Sequence, residues 1–242
     1  MLEKQQIKFF EENGYLVFEN LLSEKEVVYY RDLYEKFLSG EIDVGGNRSD
    51  LSGIDSGGLA EKITQIMRPS KIVKSLTRTI LYKKVNQIAQ ELLGKDMKVD
   101  FDMLIDKAPY TNVITPWHQD EAYWINMPDK RAVSCWIALD NVKKANGCMW
   151  FEPKSHLKNI KKHKQVHKKG ALQCEGSELD ALAVELMAGS CTFHHGRTLH
   201  YSRGNSTDLR RRAFIINLRP KTMITFERER GFDHLGEKKI ST

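Results

Sequence analysis

His118 and Asp120 are separated by one residue, in the segment TPWHQDEAYW at positions 115–124. Side chains two positions apart on a β-strand point to the same face of the sheet. An imidazole and a carboxylate on one face can bind one metal ion together, with Gln119 pointing away. Two protein ligands seldom hold a metal ion by themselves, so this pair predicts a third ligand elsewhere in the chain.

Three histidines in the segment SCTFHHGRTLHYS are candidates for the third ligand: His194, His195 and His200. Two histidines and one carboxylate on one side of an iron ion leave the opposite coordination positions open. That arrangement is typical of non-haem Fe(II) oxygenases. The residue types alone do not choose among the three histidines.

An arginine cluster follows these histidines. Arg211 lies eleven residues beyond His200 (211 − 200), at the start of the predicted strand RRAFIINLRP. A guanidinium beside an Fe(II) site can bind a carboxylate through two parallel hydrogen bonds, as a site for the dicarboxylate 2-oxoglutarate requires. Arg210 and Arg212 share one face of a strand and Arg211 takes the other, so strand parity does not identify the anion-binding residue. A solvent-exposed strand start is the alternative interpretation.

The elements that position these residues change character along the chain. Residues 1–95 are predicted to be mostly helical, because a capping box of Ser23 and Glu26 precedes apolar residues at helical spacing. Residues 96–220 are predicted to form a β-core, because short alternating apolar segments are separated by turns. Those segments are 97–106, 131–140, 181–187, 190–195 and 212–220. The stretch 40–58 is predicted to be a loop, and no element is predicted in the polar tail 221–242.

Length and composition limit the class of protein. A chain of 242 residues, of which 40% are hydrophobic and 29% charged, is predicted to form one globular domain. The N-terminus has no signal-peptide pattern and no apolar run reaches about 20 residues, so a cytoplasmic protein without a membrane segment is expected. The net charge of +6 comes without a nucleic-acid-binding motif, so nucleic acid is not an expected partner. No oligomeric state is predicted.

Three segments together resemble the phytanoyl-CoA dioxygenase family of Fe(II)/2-oxoglutarate-dependent oxygenases. They are HQDEAYW, NGCMWFEPKSH and MAGSCTFHHGRTLHYSRGNSTDLRRRAF. The family pattern is H-x-D, then a histidine in an H-x-S setting, then an arginine eleven residues later. His118, Asp120, His200 and Arg211 match this pattern. The resemblance therefore implies that the first three residues bind the metal and that Arg211 anchors 2-oxoglutarate.

The resemblance also implies a fold and further cofactor-binding residues. The family fold is a double-stranded β-helix, a relative of the jelly roll and the cupins, with N-terminal α-helices packed on one sheet. Met103, Trp136, Ser202 and Lys62 match family positions that contact 2-oxoglutarate or line its pocket. The alternatives are that Met103 and Trp136 are strand core and that Lys62 is an exposed helix residue.

The implied activity uses Fe(II), 2-oxoglutarate and O2 to hydroxylate a C–H bond of a small-molecule substrate, releasing succinate and CO2. Asp120 favours hydroxylation or a related oxidation, because similar halogenases lack a carboxylate at that position. One alternative is a zinc hydrolase with the same three ligands. Another is a non-catalytic protein that binds an anion or nucleic acid through the basic segment KNIKKHKQVHKKG at 158–170. The same segment could attract an anionic substrate.

Overall fold

A computed structural model describes residues 1–53, 61–165 and 171–234. The helices in these ranges are α1 (Lys4–Asn13), α2 (Glu24–Ser39), α3 (Pro69–Ile72), α4 (Ile80–Leu93) and α5 (Lys221–Glu229). The strands are β1 (Tyr15–Phe18), β2 (Arg48–Asp50), β3 (Ile63–Met67), β4 (Met97–Lys107), β5 (Thr115–His118), β6 (Val133–Ala138), β7 (Met149–Phe151), β8 (Lys164–Gln165), β9 (Leu172–Gln173), β10 (Leu182–Val184), β11 (Cys191–His195), β12 (His200–Ser202) and β13 (Arg211–Pro220).

Two antiparallel sheets pack face to face. The larger has the strand order β1-β11-β6-β13-β4-β3-β2, and the smaller has the order β10-β7-β12-β5. Strands that are neighbours in space come from distant parts of the sequence, as in a sheet that winds around a barrel. This is the double-stranded β-helix that the resemblance implies, and the fold-class prediction is confirmed.

Alternation along β13 explains how the larger sheet separates two cores. Phe214, Ile216 and Leu218 pack against the helices, whereas Ala213 and Ile215 pack against the smaller sheet. Successive side chains of a strand point to opposite faces. Because both faces are covered, β13 is apolar at almost every central position.

The helical layer forms on the outer face of the larger sheet. Helix α2 begins after Ser23, whose side chain accepts a hydrogen bond from the backbone N–H of Glu26, and ends at Gly40 with φ of 81°. Tyr34 and Phe37 of this helix are fully buried in the core that includes Phe214. The predicted capping box is present, and the helix uses the left-handed conformation that glycine adopts readily to end.

Several elements differ from the expected division of the chain. The mostly helical N-terminal part also contributes β1 to one edge of the larger sheet, and β2 and β3 to the other edge. Helix α5 lies in the tail for which no element is predicted. Residues 54–58 of the predicted loop, 166–170 of the basic segment and 235–242 of the tail lie outside the described residues. Among the described helices, none has the length and apolarity that crossing a bilayer requires.

Candidate metal centre

Two adjacent strands of the smaller sheet bring two histidines together. β5 and β12 are antiparallel, and His200 lies directly opposite His118 although 82 positions (200 − 118) separate them in sequence. Asp120 opens a short 3₁₀ turn after β5. Gln119 between them keeps an extended backbone, with φ of −123° and ψ of 129°. The side chains of His118 and Asp120 therefore lie on the same side, as residues two apart on a strand do.

The three side chains present their ligand atoms to one point. Nε2 of His118 and Nε2 of His200 each lie 3.7 Å from Oδ1 of Asp120. Metal–nitrogen and metal–oxygen bonds are about 2.0–2.2 Å long, so ligand atoms at this separation can share one ion. The donor set of two imidazoles and one carboxylate fits Fe(II).

Backbone carbonyls fix the orientation of both imidazoles. Nδ1 of His118 lies 2.7 Å from the carbonyl oxygen of Pro116, and Nδ1 of His200 lies 2.8 Å from that of Thr198. Each Nδ1–H donates to its carbonyl, which leaves the Nε2 lone pair for a metal. Burial lowers the pKa of both histidines. Neutral imidazoles are the form that binds metal.

Asp120 is held as a carboxylate. Burial alone would raise the pKa of Asp120, but a hydrogen bond from His194 and the neighbouring imidazoles hold that pKa below its usual range. An ionised carboxylate offers a negatively charged ligand in a buried setting.

The other two candidate histidines are not grouped with these ligands. His194 is buried with Nε2 at 3.3 Å from Oδ2 of Asp120, the oxygen that faces away from the two other ligands. His195 lies across the sheet, where its Nδ1 accepts a hydrogen bond from the backbone N–H of Arg197 and its ring contacts His156. Of the three candidates, His200 is therefore the one grouped with His118 and Asp120.

A cavity of about 980 Å³ adjoins these three residues. Four of the five predicted cofactor-binding residues line it: Met103, Trp136, Ser202 and Arg211. The cavity runs along β13. Ile215 of this strand lies between its two cross-strand neighbours, Met103 of β4 and Trp136 of β6. Farther along the strand its wall includes Phe101, Asn217 and residues 123–126 and 230–234.

Arg211 is the arginine that faces this cavity. It is 1% exposed, and its guanidinium lies 5.3 Å from the centre of the Trp136 ring. Its neighbours are neutralised, since Arg210 pairs with Asp106 and Arg212 with Asp140. In the described ranges no carboxylate lies within ion-pair distance of Arg211, and its Nε is buried without a hydrogen-bond partner. Burial lowers its pKa to about 10, so it is still a cation at neutral pH.

An unpaired cation in a buried cavity is energetically unfavourable unless an anion joins it. The cavity therefore fits a ligand with a carboxylate at the Arg211 end and donor atoms near His118, Asp120 and His200. 2-Oxoglutarate has this form. The structure thus distinguishes among the three arginines, which strand parity alone does not.

Lys62 is placed differently. Its backbone N–H donates to Oδ2 of Asp50, and it is not among the described residues that line the cavity. Its predicted contact with 2-oxoglutarate stays a prediction, without support from this geometry.

Some cavity residues were not anticipated from the sequence. Ser134 and Asn217 line the cavity beside Asp120, and residues 230–234 form part of its wall. Ser134 is two positions from Trp136 on the same strand, so strand parity could have identified it. The wall formed by residues 230–234 has no comparable sequence signal.

The described part of the basic segment forms hydrogen bonds with Gln119, the residue between the ligands His118 and Asp120. The side-chain oxygen of Gln119 accepts from the backbone N–H of Lys161, and the backbone N–H of Gln119 donates to Nε2 of His163. Lys158 pairs with Glu152. Among the described residues, those from 158 to 165 do not line the cavity.

Asp100, Glu227 and His234 form a second group with metal-ligand chemistry. Arginines already fill it, since Arg219 and Arg228 each contact both carboxylates. A buried carboxylate that is neutralised by guanidinium groups has no need of a cation. This cluster is an ion-pair network.

Comparison with known proteins agrees with this geometry. The family model of phytanoyl-CoA dioxygenase (PhyH) matches residues 10–213. Peroxisomal phytanoyl-CoA dioxygenase of Homo sapiens is 26% identical over 232 residues, covering 88% of this chain and 67% of that protein. Ectoine dioxygenase of Stutzerimonas stutzeri (strain A1501) is 27% identical over 220 residues, covering 83% and 71% respectively.

A solved structure is similar over most of its length. The crystal structure of EvdO2 from Micromonospora carbonacea var. aurantiaca aligns with a TM-score of 0.77 at 26% identity, covering 90% of this chain and 91% of that one. The same protein has also been crystallised with 2-oxoglutarate, and that complex aligns with a TM-score of 0.74 at 25% identity. The chain belongs to the phytanoyl-CoA dioxygenase family, and it is an Fe(II)/2-oxoglutarate-dependent dioxygenase.

Proposed function

We propose that residues 1–242 act as one dioxygenase domain that hydroxylates a C–H bond of a small metabolite. In this proposal His118, Asp120 and His200 hold Fe(II), and Arg211 anchors the far carboxylate of 2-oxoglutarate. The observation that carries the proposal is the buried Arg211, which has no carboxylate partner in the described ranges and shares one cavity with the three ligands.

When bound, Fe(II) with 2-oxoglutarate and O2 supplies an oxidant, so that one oxygen atom enters the substrate C–H bond and the other enters succinate as CO2 leaves. The protein's own part is orientation and shielding. The carbonyls of Pro116 and Thr198 hold the imidazoles with Nε2 towards the metal. Trp136 packs beneath the guanidinium of Arg211 and limits its movement.

We assign Met103, Trp136 and Ser202 to the 2-oxoglutarate side of the cavity. Met103 and Trp136 flank Ile215 across three adjacent strands, and Ser202 lies two positions after His200 on β12. The substrate would occupy the other side, beyond Asn217. That placement puts a substrate C–H bond near the metal while 2-oxoglutarate extends towards Arg211.

The substrate wall combines apolar, amide and charged side chains. It includes Met67, Phe101 and Ile125, together with the amides of Asn126 and Asn217. The cationic Arg48, which also lines the cavity, is committed to Glu61. Arg230 and Asp233 add charges of opposite sign to this wall, so an anionic substrate stays a prediction from the basic segment.

Two alternatives fit less well. A zinc hydrolase with the same ligands has no use for a buried arginine on the far side of the cavity. A non-catalytic anion- or nucleic-acid-binding protein would use the basic segment, whose described residues contact Glu152, Glu175 and Gln119. A cytoplasmic location stays a prediction, and the human relative is named as a peroxisomal protein.

The test is anaerobic addition of 2-oxoglutarate to the Fe(II)-loaded protein. We expect a weak metal-to-ligand charge-transfer band, and its loss in Asp120→Ala and His200→Ala. His195→Ala is the matched control, because His195 is a neighbouring histidine that does not line the cavity. Succinate release with a panel of small molecules then identifies the substrate. Metal binding without a 2-oxoglutarate-dependent band would contradict the proposal and favour the hydrolase.

A further inference from the structure

Three polar residues form a row across adjacent strands beside the metal ligands. In the larger sheet, Asn217 of β13 is the cross-strand neighbour of Ser134 of β6, and Ser134 is the neighbour of His194 of β11. All three are buried, at 5%, 2% and 2% exposure, and all three line the cavity. Buried polar side chains on the inner face of a sheet need hydrogen-bond partners. Ser134 and His194 contact Asp120, and Asn217 contacts Ser134.

The row contacts one of the two oxygens of Asp120. Oγ of Ser134 lies 2.7 Å from Oδ2, and Nε2 of His194 lies 3.3 Å from the same atom. The other oxygen, Oδ1, is the atom nearest to His118 and His200. The two oxygens of this carboxylate therefore have different surroundings, one facing hydrogen-bond donors and the other facing the metal position.

The available protons define the direction of these hydrogen bonds. A carboxylate only accepts, so the single hydroxyl proton of Ser134 goes to Asp120. Oγ of Ser134 also lies 2.7 Å from the side-chain amide of Asn217. Because its proton is already donated to Asp120, Oγ must accept a hydrogen bond from this amide. The amide satisfies this when its N–H₂ group faces Ser134, because the two ends of an amide have nearly the same shape. That orientation also gives a partner to Nδ2 of Asn217, which is otherwise buried without one among the described residues.

The ring of His194 is oriented for the same task. Its Nδ1 is buried without a hydrogen-bond partner among the described residues, so the tautomer with the proton on Nε2 is the one that makes a bond. Phe151 packs against this ring at 5.3 Å between centroids, and against the ring of His200 at 6.0 Å. The packing holds the Nε2–H of His194 towards Asp120.

We propose that Ser134 and His194 are positioning residues that hold Oδ2 of Asp120, so that this carboxylate binds the metal through Oδ1 alone. Asn217 supports them by orienting the hydroxyl of Ser134. The inference rests on the proposed function, because it assumes that Asp120 is a ligand. A carboxylate free to turn could bind through both oxygens and occupy a further coordination position. The two donors keep that position open for 2-oxoglutarate or O2.

The experiment compares variants that remove one donor with variants that keep it. Ser134→Ala and His194→Phe remove a donor, whereas Ser134→Thr and His194→Gln retain one. Thr192→Val is the matched control, since Thr192 is a buried residue of β11 that does not line the cavity and whose hydroxyl has no hydrogen-bond partner among the described residues. The readouts are the Mn(II) dissociation constant and the position of the Fe(II)–2-oxoglutarate band.

Loss of a group that orients a metal ligand typically weakens metal binding about 10- to 100-fold. We expect weakening of this size in Ser134→Ala and His194→Phe, together with a shifted band, because the coordination of Asp120 changes. Ser134→Thr and His194→Gln should recover most of the affinity, and Thr192→Val should match the wild type. A purely structural role would lower the melting temperature without moving the band.

The metal measurement separates this inference from the proposed function. Wild-type Mn(II) affinity in Ser134→Ala and His194→Phe overturns the inference, whether or not 2-oxoglutarate binds. A wild-type protein that binds Mn(II) through Asp120 but gives no band overturns the proposed function alone. If Ser134→Ala does not fold, His194→Phe and Asn217→Leu decide the outcome by the same two readouts.

Discussion

Strand β13 carries a buried arginine near each end, and the two have opposite surroundings. Arg211 and Arg219 are both 1% exposed. Arg219 donates through Nε to Asp100 at 2.8 Å, and its Nη2 contacts both Asp100 and Glu227. Arg211 has no such partner among the described residues. With strand and burial held equal, the difference lies in the carboxylates that surround each guanidinium.

The comparison distinguishes a structural cation from a binding cation. A buried charge must be compensated, either within the protein or by a ligand. The network around Arg219 is closed, and it joins β13 to α5 and to residues 230–234 of the cavity wall. Arg211 pairs with no carboxylate of the described residues, so its guanidinium can receive a carboxylate from a ligand. One end of the strand therefore holds the fold together, and the other provides a place for 2-oxoglutarate.

Arg219→Met is expected to give the largest effect on stability. It leaves Asp100 and Glu227 with less compensation in a buried site, and breaking a buried ion pair from one side costs about 3–5 kcal/mol. Urea unfolding of the ligand-free protein measures the loss. Arg211→Met is the matched control and should not lower the free energy of unfolding, because it removes a buried charge that forms no ion pair within the described ranges. Equal destabilisation by both substitutions would contradict the comparison.

Arg211→Lys is expected to weaken 2-oxoglutarate binding while leaving the metal in place. Lysine keeps the charge but loses the planar pair of donors, and a hydrogen bond to a charged group contributes about 1.5–3 kcal/mol. At about 1.4 kcal/mol per tenfold, the apparent affinity should fall roughly 10- to 100-fold. Titration of the charge-transfer band measures it.

Arg210→Lys provides the control for that substitution, because Arg210 pairs with Asp106 and does not line the cavity. Loss of 2-oxoglutarate affinity in Arg210→Lys, with Arg211→Lys unchanged, would move the anion site to the neighbouring residue. Loss of the metal in Arg211→Lys would mean that the arginine supports the fold of the site.

Acid should weaken the Arg219 end first. Burial alone would raise the pKa of Glu227, but hydrogen bonds from His234 and Arg219 lower it from 4.5 to about 2. A carboxyl with a lowered pKa in the folded state contributes stability that is complete above its unfolded pKa. That stability is lost as pH falls from about 4.5 towards 2. Unfolding free energies across this window should fall more steeply for the wild type than for Glu227→Gln, and parallel curves would exclude Glu227 as the source.

The strands were predictable because their side chains alternate. The predicted strand 212–220 corresponds to β13 (Arg211–Pro220), and 97–106 corresponds to β4 (Met97–Lys107). The resemblance named the ligand group because each of its two motifs is local in sequence, the first at His118 and Asp120 and the second running from His200 to Arg211. The row of Asn217, Ser134 and His194 was not found, because cross-strand neighbours depend on sheet order and register, which one sequence does not reveal. The same applies to α5, whose contacts with Asp100 are long-range ion pairs.

The smallest effect is expected in the basic segment, where two kinds of residue can be compared. Neutralising Lys161, Lys162 and Lys164 to Gln should change the free energy of unfolding by no more than about 0.5 kcal/mol, as exposed substitutions usually do. Succinate release should also be unchanged at low salt, because these lysines do not line the cavity. His163 differs, because its buried Nε2 accepts the backbone N–H of Gln119, between two ligands.

His163→Phe leaves that N–H without its acceptor, and an unsatisfied buried donor costs about 1–3 kcal/mol. A larger loss of unfolding free energy in His163→Phe than in the triple lysine variant would show that the segment stabilises the chain beside the metal ligands. The opposite result, a raised substrate KM in the lysine variant and a wild-type response in His163→Phe, would return the segment to the role of attracting an anionic substrate. Added salt then distinguishes the two, because screening acts over about 8–10 Å on exposed charges and leaves a buried hydrogen bond unaffected.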